Sequence, residues 1–272
     1  MNEPLFVDAA SGSARRQYPG RPSAVYLMGT CLVDGFYADA GLDAIRLLQA
    51  EGLEVIFPQS QTCCGQPAYN SGYDDEARRV ARQQLQAFAA DIPLVVMMGS
   101  CTGMMIKEYP QLFAGQPEEQ QALDLAARTF ELGEFLVNVL QLHTRLAEAQ
   151  DQSAMRLALH VSCSSRRSLG VAEDHQTLMQ NLPGVHLVEP QRASECCGFG
   201  GTFAVKQADI SATMAADKAS AIADTGAQRL VSADCGCLMN ISGTMKKQGK
   251  GIASQHLASL LYQRLHGQGG QA

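Results

Sequence analysis

The sequence predicts an α/β protein made of two pseudo-symmetric repeats, each a small parallel sheet with flanking helices and with cysteines at the carboxyl ends of its strands. Short apolar segments alternate with helical segments in both halves, and this alternation is typical of βαβ units. Eight of the nine cysteines also recur at nearly constant offsets of 132, 133, 133 and 136 residues. The matching pairs are Cys31 with Cys163, Cys63 with Cys196, Cys64 with Cys197, and Cys101 with Cys237.

Apolar runs bounded by glycine or proline predict the strands. In the first half these runs are residues 24–28, 53–57 and 93–98, and in the second half they are 157–161, 185–188 and 229–232. Helical segments follow at 36–51, 73–90 and 117–150, and again at 173–181, 204–223 and 252–261. In parallel sheets ligands gather at the carboxyl ends of the strands, so we expect the matched cysteines to meet there.

The repeat sets the expected domain boundaries. Residues 23–150 form the first domain and residues 151–272 the second, with a junction near 149–153. Residues 1–22 are rich in turn-forming residues and have no apolar periodicity, so we expect a mobile or loosely packed extension outside the fold.

Composition excludes several classes of function. Of the 272 residues 46% are hydrophobic and 18% charged, and the net charge of -6 offers no basic surface for nucleic acid. Neither a signal-peptide core nor a membrane-spanning apolar run is present, so a cytoplasmic protein is expected. Nine cysteines in that compartment indicate metal-binding or redox chemistry, and an odd number fits a disulfide framework poorly.

Thiolates are soft anionic ligands that suit iron-sulfur clusters, and four per half is a sufficient supply. Four thiolates at a loop-rich site also suit zinc, so both metals stay open on the residues alone. We expect the backbone to approach the metal centre closely at glycines that follow the cysteine pairs, where N–H groups can bind sulfur. These glycines are Gly65, Gly198, Gly200 and Gly201.

Four segments resemble a known family: GTCLVD (29–34), QTCCGQPA (61–68), CCGFGGTFAVK (196–206) and CLMNI (237–241). They are similar to proteins built from two cysteine-rich CCG domains, which include the CCG-domain component of heterodisulfide reductase and the glycolate oxidase iron-sulfur subunit. Among these, the sequence most resembles the lactate-utilisation iron-sulfur proteins of the LutA or LldE type. The resemblance extends from Ser23 to the end of the sequence.

This resemblance implies a cytosolic subunit of a complex that oxidises L-lactate to pyruvate with two partner proteins, one of them a further iron-sulfur protein. It also implies one [4Fe-4S]-type cluster per half. No catalytic triad, diagnostic carboxylate pair or phosphate loop is present in the sequence, so an electron carrier is favoured over a sole catalyst. Two alternatives stay open: an oxidoreductase that acts alone on a disulfide or a 2-hydroxy acid, and a zinc-stabilised binding module.

The sequence departs from the family pattern at the terminal Cys-x-x-Cys. Met98 and Asp234 occupy the first position of that motif, and Cys235, the ninth cysteine, is a candidate replacement ligand in the second half. The resemblance also matches His160, Cys163 and Arg167 to a His-x-x-Cys-x-x-x-Arg element. From its apolar strand we expect His160 to be a hydrogen-bonded core histidine, and we expect Lys206 and Lys218 to be solvated on their helix.

Overall fold

The computed structural model describes residues 16–267 and contains two four-stranded sheets in which every neighbouring pair of strands is parallel. The first sheet has the order β2-β1-β3-β4 and the second the order β6-β5-β7-β8, so the two halves share one topology. The predicted α/β fold with two repeats is confirmed. The strands are β1 (Ala24–Met28), β2 (Glu54–Ile56), β3 (Leu94–Val96), β4 (Thr129–Glu131), β5 (Met155–Leu159), β6 (Val185–Leu187), β7 (Arg229–Ser232) and β8 (Ala253–His256).

Helices connect the strands and cover the sheets. In the first half they are α1 (Cys31–Phe36), α2 (Ala38–Ala50), α3 (Gln66–Tyr69), α4 (Asp74–Ala87), α5 (Gly99–Gly103), α6 (Tyr109–Leu112), α7 (Glu119–Ala127) and α8 (Leu132–Asn138). In the second half they are α9 (Ala172–Gln180), α10 (Phe203–Lys206), α11 (Ala208–Ala223), α12 (Cys235–Lys247) and α13 (Leu257–His266). Short π-helical turns span Met104–Glu108 and Ser164–Leu169, and 3-10 turns span Leu142–Thr144 and Leu146–Glu148. Within residues 16–267, none of these helices has the length and apolar character needed to cross a membrane.

The fourth strand of each sheet was not predicted. The helix expected over 117–150 is interrupted by β4, and the helix expected over 252–261 begins as β8. β4 has only three residues, all buried, so neither period 2 nor period 3.6 can be recognised in it. β8 reads Ala-Ser-Gln-His and has no apolar run. The tails of the two halves do match, as a short strand followed by an apolar helix.

The two halves exchange their last helices. α8 of the first half packs on α9 of the second, and α13 of the second half packs on α2 of the first. Leu47, Leu178 and Leu261, from α2, α9 and α13, are all fully buried in one continuous hydrophobic core. The halves are therefore joined by a shared apolar core.

Buried polar caps fix the start of both exchanged helices. Glu131 Oε2 accepts hydrogen bonds from the backbone N–H groups of Gly133 (2.7 Å) and Glu134 (3.1 Å), and the Glu131 N–H donates to Glu134 Oε2 (3.1 Å), which completes a capping box at α8. The same oxygen accepts from His175 Nε2 of the second half at 2.9 Å. A Cβ atom on Gly133 would lie 2.5 Å from the His175 ring, so only glycine permits this contact. The α8 cap thus also joins the halves.

His256 has the equivalent position at α13. Its Nδ1 atom accepts a hydrogen bond from the Ala258 N–H at 3.1 Å, and its Nε2 atom donates to the carbonyl oxygens of Met97 and Ala233, both at 3.2 Å. Burial lowers the pKa of His256, in keeping with a neutral ring that carries its proton on Nε2. Because Met97 follows β3 and Ala233 follows β7, this ring ties together the ends of corresponding strands in the two sheets.

Residues 1–15 of the expected N-terminal extension lie outside the described residues. Residues 16–22 form no regular helix and contact the first half through side chains. The Arg16 guanidinium lies 4.0 Å from the centre of the Phe130 ring, and Tyr18 Oη donates to Glu134 Oε1 at 3.2 Å. Arg21 pairs with Glu51 at 2.9 Å.

A pH effect on stability follows from Glu134. Burial raises the pKa of Glu134 from 4.5 to about 7, although the nearby Arg16 opposes this shift. A carboxyl group whose pKa is raised in the folded state stabilises the fold while it is protonated, and this contribution is lost as the pH rises from the unfolded pKa through the folded one. Between pH 5.5 and pH 8 the free energy of unfolding should therefore fall by about 2 kcal/mol more in the unsubstituted protein than in Glu134→Gln. Urea unfolding of both proteins at the two pH values measures this difference, and parallel pH dependences would contradict it.

Candidate metal centres

The eight matched cysteines lie at the carboxyl ends of corresponding strands, as predicted. Cys31 begins α1 directly after β1, Cys63 and Cys64 lie in the loop after β2, and Cys101 lies in α5 after β3. Their counterparts follow β5, β6 and β7 in the same order. Since adjacent parallel strands end at one edge of the sheet, side chains that are distant in sequence are brought together there.

In the first half the four thiols form two close pairs. The Cys31 and Cys63 sulfurs are 3.9 Å apart, and the Cys64 and Cys101 sulfurs are 3.3 Å apart. Cys31 is exposed and Cys63 half-buried, whereas Cys64 and Cys101 are buried. We call this group of four the first thiol cluster.

The second half repeats the arrangement. The Cys197 and Cys237 sulfurs are 3.1 Å apart, and Cys163 lies close enough to Cys196 for Cys196 to raise the pKa of Cys163. Cys163 and Cys196 are half-buried, while Cys197 and Cys237 are buried. This second thiol cluster, like the first, has two buried sulfurs and two that are closer to the surface. The two halves therefore contain equivalent sites.

The glycine after each cysteine pair turns the backbone toward sulfur. The Gly65 N–H lies 3.5 Å from the Cys63 sulfur, and the Gly198 N–H lies 3.4 Å from the Cys196 sulfur. Both glycines have positive φ angles, 86° and 83°, which disfavour other residues. A Cβ atom on Gly198 would also lie 2.7 Å from the carbonyl oxygen of Ser211 in α11. Gly198 is therefore required both by its backbone conformation and by the close approach of a helix.

Gly200 and Gly201 continue this turn with φ angles of 50° and 60°. A Cβ atom on Gly200 would lie 2.8 Å from Phe203, whereas Gly201 has open space around it. Their role in the structure is to turn the chain into α10, and proximity to a metal stays a prediction for both.

Proton sharing within each cluster favours one thiolate. A hydrogen bond from Cys31, supported by Cys64, lowers the pKa of Cys63 to about 2, and a hydrogen bond from Cys163, supported by Cys197, lowers that of Cys196 to about 2. The same contacts raise the pKa of the donors Cys31 and Cys163. Four adjacent thiolates would repel one another, so complete deprotonation requires a compensating positive charge. A bound metal supplies such charge and deprotonates its thiol ligands.

The donor set therefore fits a soft metal centre. Four sulfurs converge in each half, and backbone N–H groups are directed at sulfur, an arrangement that tunes iron-sulfur centres. Four thiolates also satisfy tetrahedral zinc. The clustered thiols indicate a metal or iron-sulfur cofactor.

The residues at the incomplete Cys-x-x-Cys positions do not join the thiols. Asp234 caps α12 by accepting from the N–H groups of Gly236 (3.1 Å) and Cys237 (3.4 Å), and its second oxygen accepts from the Ser100 N–H at 3.4 Å. It therefore joins the halves. Met98 accepts a hydrogen bond from Thr30 Oγ1 at 3.1 Å.

Cys235 is not in the group of close donor atoms that contains Cys197 and Cys237. It is fully buried in the core that the two halves share, which also contains Cys64 and Cys101, whereas Cys197 and Cys237 belong to the core between α11 and α12. Burial, reinforced by Asp234, raises the pKa of Cys235 and so favours the neutral thiol. These contacts do not support a role for Cys235 as a metal ligand. That role stays a prediction from the sequence.

Thr30 is a site residue that sequence reasoning missed. It precedes Cys31 with φ 64° and ψ 155°, a region that residues other than glycine rarely occupy. Its hydroxyl group accepts from the Val33 N–H at 3.5 Å and thereby caps α1. This strained backbone lies immediately before Cys31, and no sequence pattern signals such strain.

One of the basic residues near the second cluster differs from expectation. Lys218 is 2% exposed, and its Nζ atom donates to the carbonyl oxygens of Arg192 (2.8 Å) and Ala193 (3.3 Å). The prediction that it is solvated is wrong, because its charge is used to hold the segment before Cys196. Lys206 is exposed as expected, and Arg167 donates to the Ser194 carbonyl at 3.4 Å.

His160 is buried as predicted, with 4% of its surface exposed, but it is not satisfied as a core histidine. Its Nε2 atom is buried and has no hydrogen-bond partner among the described residues. One of its ring nitrogens lies with the Cys197 and Cys237 sulfurs in a group whose atoms are all within 4.8 Å of one another. Burial, together with nearby Lys218, lowers the pKa of His160 to about 4, which leaves a neutral imidazole.

Two parallel-sheet repeats, each with four converging thiols, define a duplicated cysteine-rich α/β protein. The family model for the CCG cysteine-rich domain matches residues 25–106 and 157–242. The chain belongs to this family, and the resemblance found in the sequence is confirmed.

Several relatives are named Lactate utilization protein A. The chain is 45% identical over 241 residues to the protein of Geobacillus sp. (strain WCH70), a match that covers 88% of this chain and 99% of that one. It is 42% identical over 249 residues to the Oceanobacillus iheyensis protein, with 91% and 99% covered. It is 41% identical over 241 residues to the protein of Bacillus subtilis (strain 168), with 88% and 99% covered.

Among solved structures, a hypothetical protein from Helicobacter pylori has a similar fold, with a TM-score of 0.60 and 10% sequence identity. The similarity covers 92% of this chain and 52% of the Helicobacter chain, so the present chain spans about half of that protein. At this identity the likeness concerns the fold alone.

The contacts of Gly198 predict the effect of a methyl group there. Gly198→Ala should lower the free energy of unfolding by about 2–4 kcal/mol, because it adds left-handed strain and a clash with Ser211. Exposed Gly243, in the middle of α12 with open space around it, is the matched control. Gly243→Ala should raise stability by about 0.5–1 kcal/mol. Urea unfolding measures both, and equal effects of the two variants would contradict this role of Gly198.

Proposed function

We propose that the chain is an iron-sulfur electron-transfer subunit of a cytosolic complex that oxidises L-lactate to pyruvate. The observation that carries the proposal is the convergence of four thiols at the same sheet edge in both halves. The lactate-utilisation names of relatives that match along nearly their whole length support the pathway. The partners in this proposal are other subunits of the complex, including a second iron-sulfur protein.

Each half would hold one [4Fe-4S]-type centre. Cys31, Cys63, Cys64 and Cys101 would bind the first, and Cys163, Cys196, Cys197 and Cys237 the second. Such a centre accepts and releases single electrons. The protein contributes N–H groups near sulfur at Gly65, Gly198 and Phe199, which stabilise negative charge on the ligands.

The position of the thiols favours exchange of electrons with a partner. In each half two cysteines are buried and the other two are half-buried or exposed. An electron acceptor can therefore approach the thiol cluster without unfolding of the surrounding structure. Large apolar side chains are exposed on nearby segments: Phe36, in the helix that Cys31 begins, is 67% exposed, and Val205, after the second cysteine pair, is 82% exposed. Exposed apolar groups of this kind are typical of surfaces that bind other proteins.

Asp234, three residues before Cys237, is already hydrogen-bonded within the structure. Asp234 accepts three backbone N–H hydrogen bonds and is 4% exposed, so it is not available to remove a proton from a substrate. This supports an electron carrier that receives electrons from a partner, in which another cofactor oxidises lactate.

Metal and sulfide analysis tests the proposal. After anaerobic purification we expect a brown protein with iron and acid-labile sulfide in equal amounts. Cys64→Ser and Cys197→Ser should each remove about half of both, since each affects one centre. Cys235→Ser is the matched control and should retain the full content, because Cys235 makes none of the sulfur–sulfur contacts that join the described thiols of each cluster. Zinc without sulfide would overturn the electron-transfer function and leave a zinc-stabilised module.

Turnover distinguishes the carrier from an independent enzyme. The isolated, iron-loaded chain should not oxidise lactate with an artificial acceptor, and its visible absorption should bleach on addition of lactate only when the partner proteins are present. Steady-state lactate oxidation or disulfide cleavage by the chain alone would contradict the subunit role.

A further inference from the structure

We propose that His160 is a nitrogen ligand of the second metal centre, which would then have a mixed sulfur and nitrogen donor set while the first has sulfur alone. This rests on the proposed function only in that a metal occupies the second thiol cluster. The ligand role is independent of whether that metal is iron or zinc, because neutral imidazole binds both.

The geometry places a free donor beside the buried sulfurs. A His160 ring nitrogen and the sulfurs of Cys197 and Cys237 all lie within 4.8 Å of one another, and all three residues are buried. After small side-chain movements the three donors can bind one zinc ion or different irons of one cluster, since metal bonds to nitrogen and sulfur are about 2.0–2.3 Å long. The backbone N–H of His160 donates to the Val231 carbonyl at 2.8 Å, which fixes the residue at the end of β5.

The ring needs a partner that the described residues do not provide. His160 Nε2 is buried and makes no hydrogen bond within residues 16–267, and leaving a buried polar atom unsatisfied is destabilising. A metal in the thiol cluster would use the free nitrogen and offset this cost.

The first half lacks such a donor. His160 precedes Cys163 by three residues, and the residue three before Cys31 is Met28, at the end of β1. Met28 is fully buried in the apolar core. Met98, also near the first cluster, accepts a hydrogen bond from Thr30. The nitrogen donor is therefore specific to the second half.

His160 also accounts for the additional ligand that the sequence assigned to Cys235. Cys235 lies in the core shared by the halves, whereas His160 groups with Cys197 and Cys237. The donor that accompanies the four cysteines thus comes from the end of β5 and not from the start of α12.

Isotope-edited pulsed EPR tests the ligand directly. Protein is produced with ¹⁴N-histidine or ¹⁵N-histidine, purified anaerobically and reduced, and its nitrogen couplings are recorded. We expect a histidine coupling that changes with the isotope and disappears in His160→Met, which copies Met28 of the first half. His186→Met, in which an exposed histidine of β6 is replaced, should retain the coupling.

A spectrum without isotope-dependent coupling would overturn the proposal, as would a coupling that survives in a folded His160→Met protein. His160→Asn is the second variant if the methionine variant does not fold, with the same expected loss. If metal analysis finds zinc, the proposed electron transfer is wrong but His160 is still tested. Zinc X-ray absorption should then show nitrogen beside sulfur and lose the nitrogen in His160→Met, and sulfur alone in the unsubstituted protein would contradict the ligand role.

Discussion

The structure depends on the constraint that four thiols must share one sheet edge in each half. Sulfurs 3.1–3.9 Å apart cannot all be ionised without a positive charge among them. One thiolate per half is stabilised by hydrogen bonds from its neighbours, and this is why the pKa of Cys63 and of Cys196 is lowered while that of the donors is raised. The architecture around the thiols, with strand ends, positive-φ glycines and helix caps, holds these groups closer than they would lie in a flexible chain.

The interlocked halves keep the two edges in a fixed relation. α8 and α13 each pack on the opposite half, and both begin at a buried cap that contacts that half, Glu131 with His175 and His256 with Met97. Asp234 adds a third link from the α12 cap to Ser100, one residue before Cys101. A movement of the backbone at Cys101 would therefore disturb the contact between Ser100 and Asp234 of the other half. This is consistent with a single functional unit.

The sequence predicted the α/β fold and the grouping of eight cysteines, because apolar runs mark the strands locally and the cysteine spacing repeats between the halves. It did not predict β4 and β8, since three or four residues show no periodicity and the pairing of β4 with β3 is a tertiary effect. It offered Cys235 as a replacement ligand, and that assignment stays a prediction, because adjacency in sequence carries no information on which core a side chain enters. It expected His160 to be satisfied, and only the fold reveals that its Nε2 atom has no partner among residues 16–267.

The most direct test of two separate metal centres is X-ray diffraction at the iron absorption edge from crystals grown without oxygen. We expect two anomalous peaks of similar height, one among Cys31, Cys63, Cys64 and Cys101 and the other among Cys163, Cys196, Cys197 and Cys237. A single peak between the halves, or no iron signal at either thiol cluster in crystals of the metal-loaded protein, would contradict the presence of two centres.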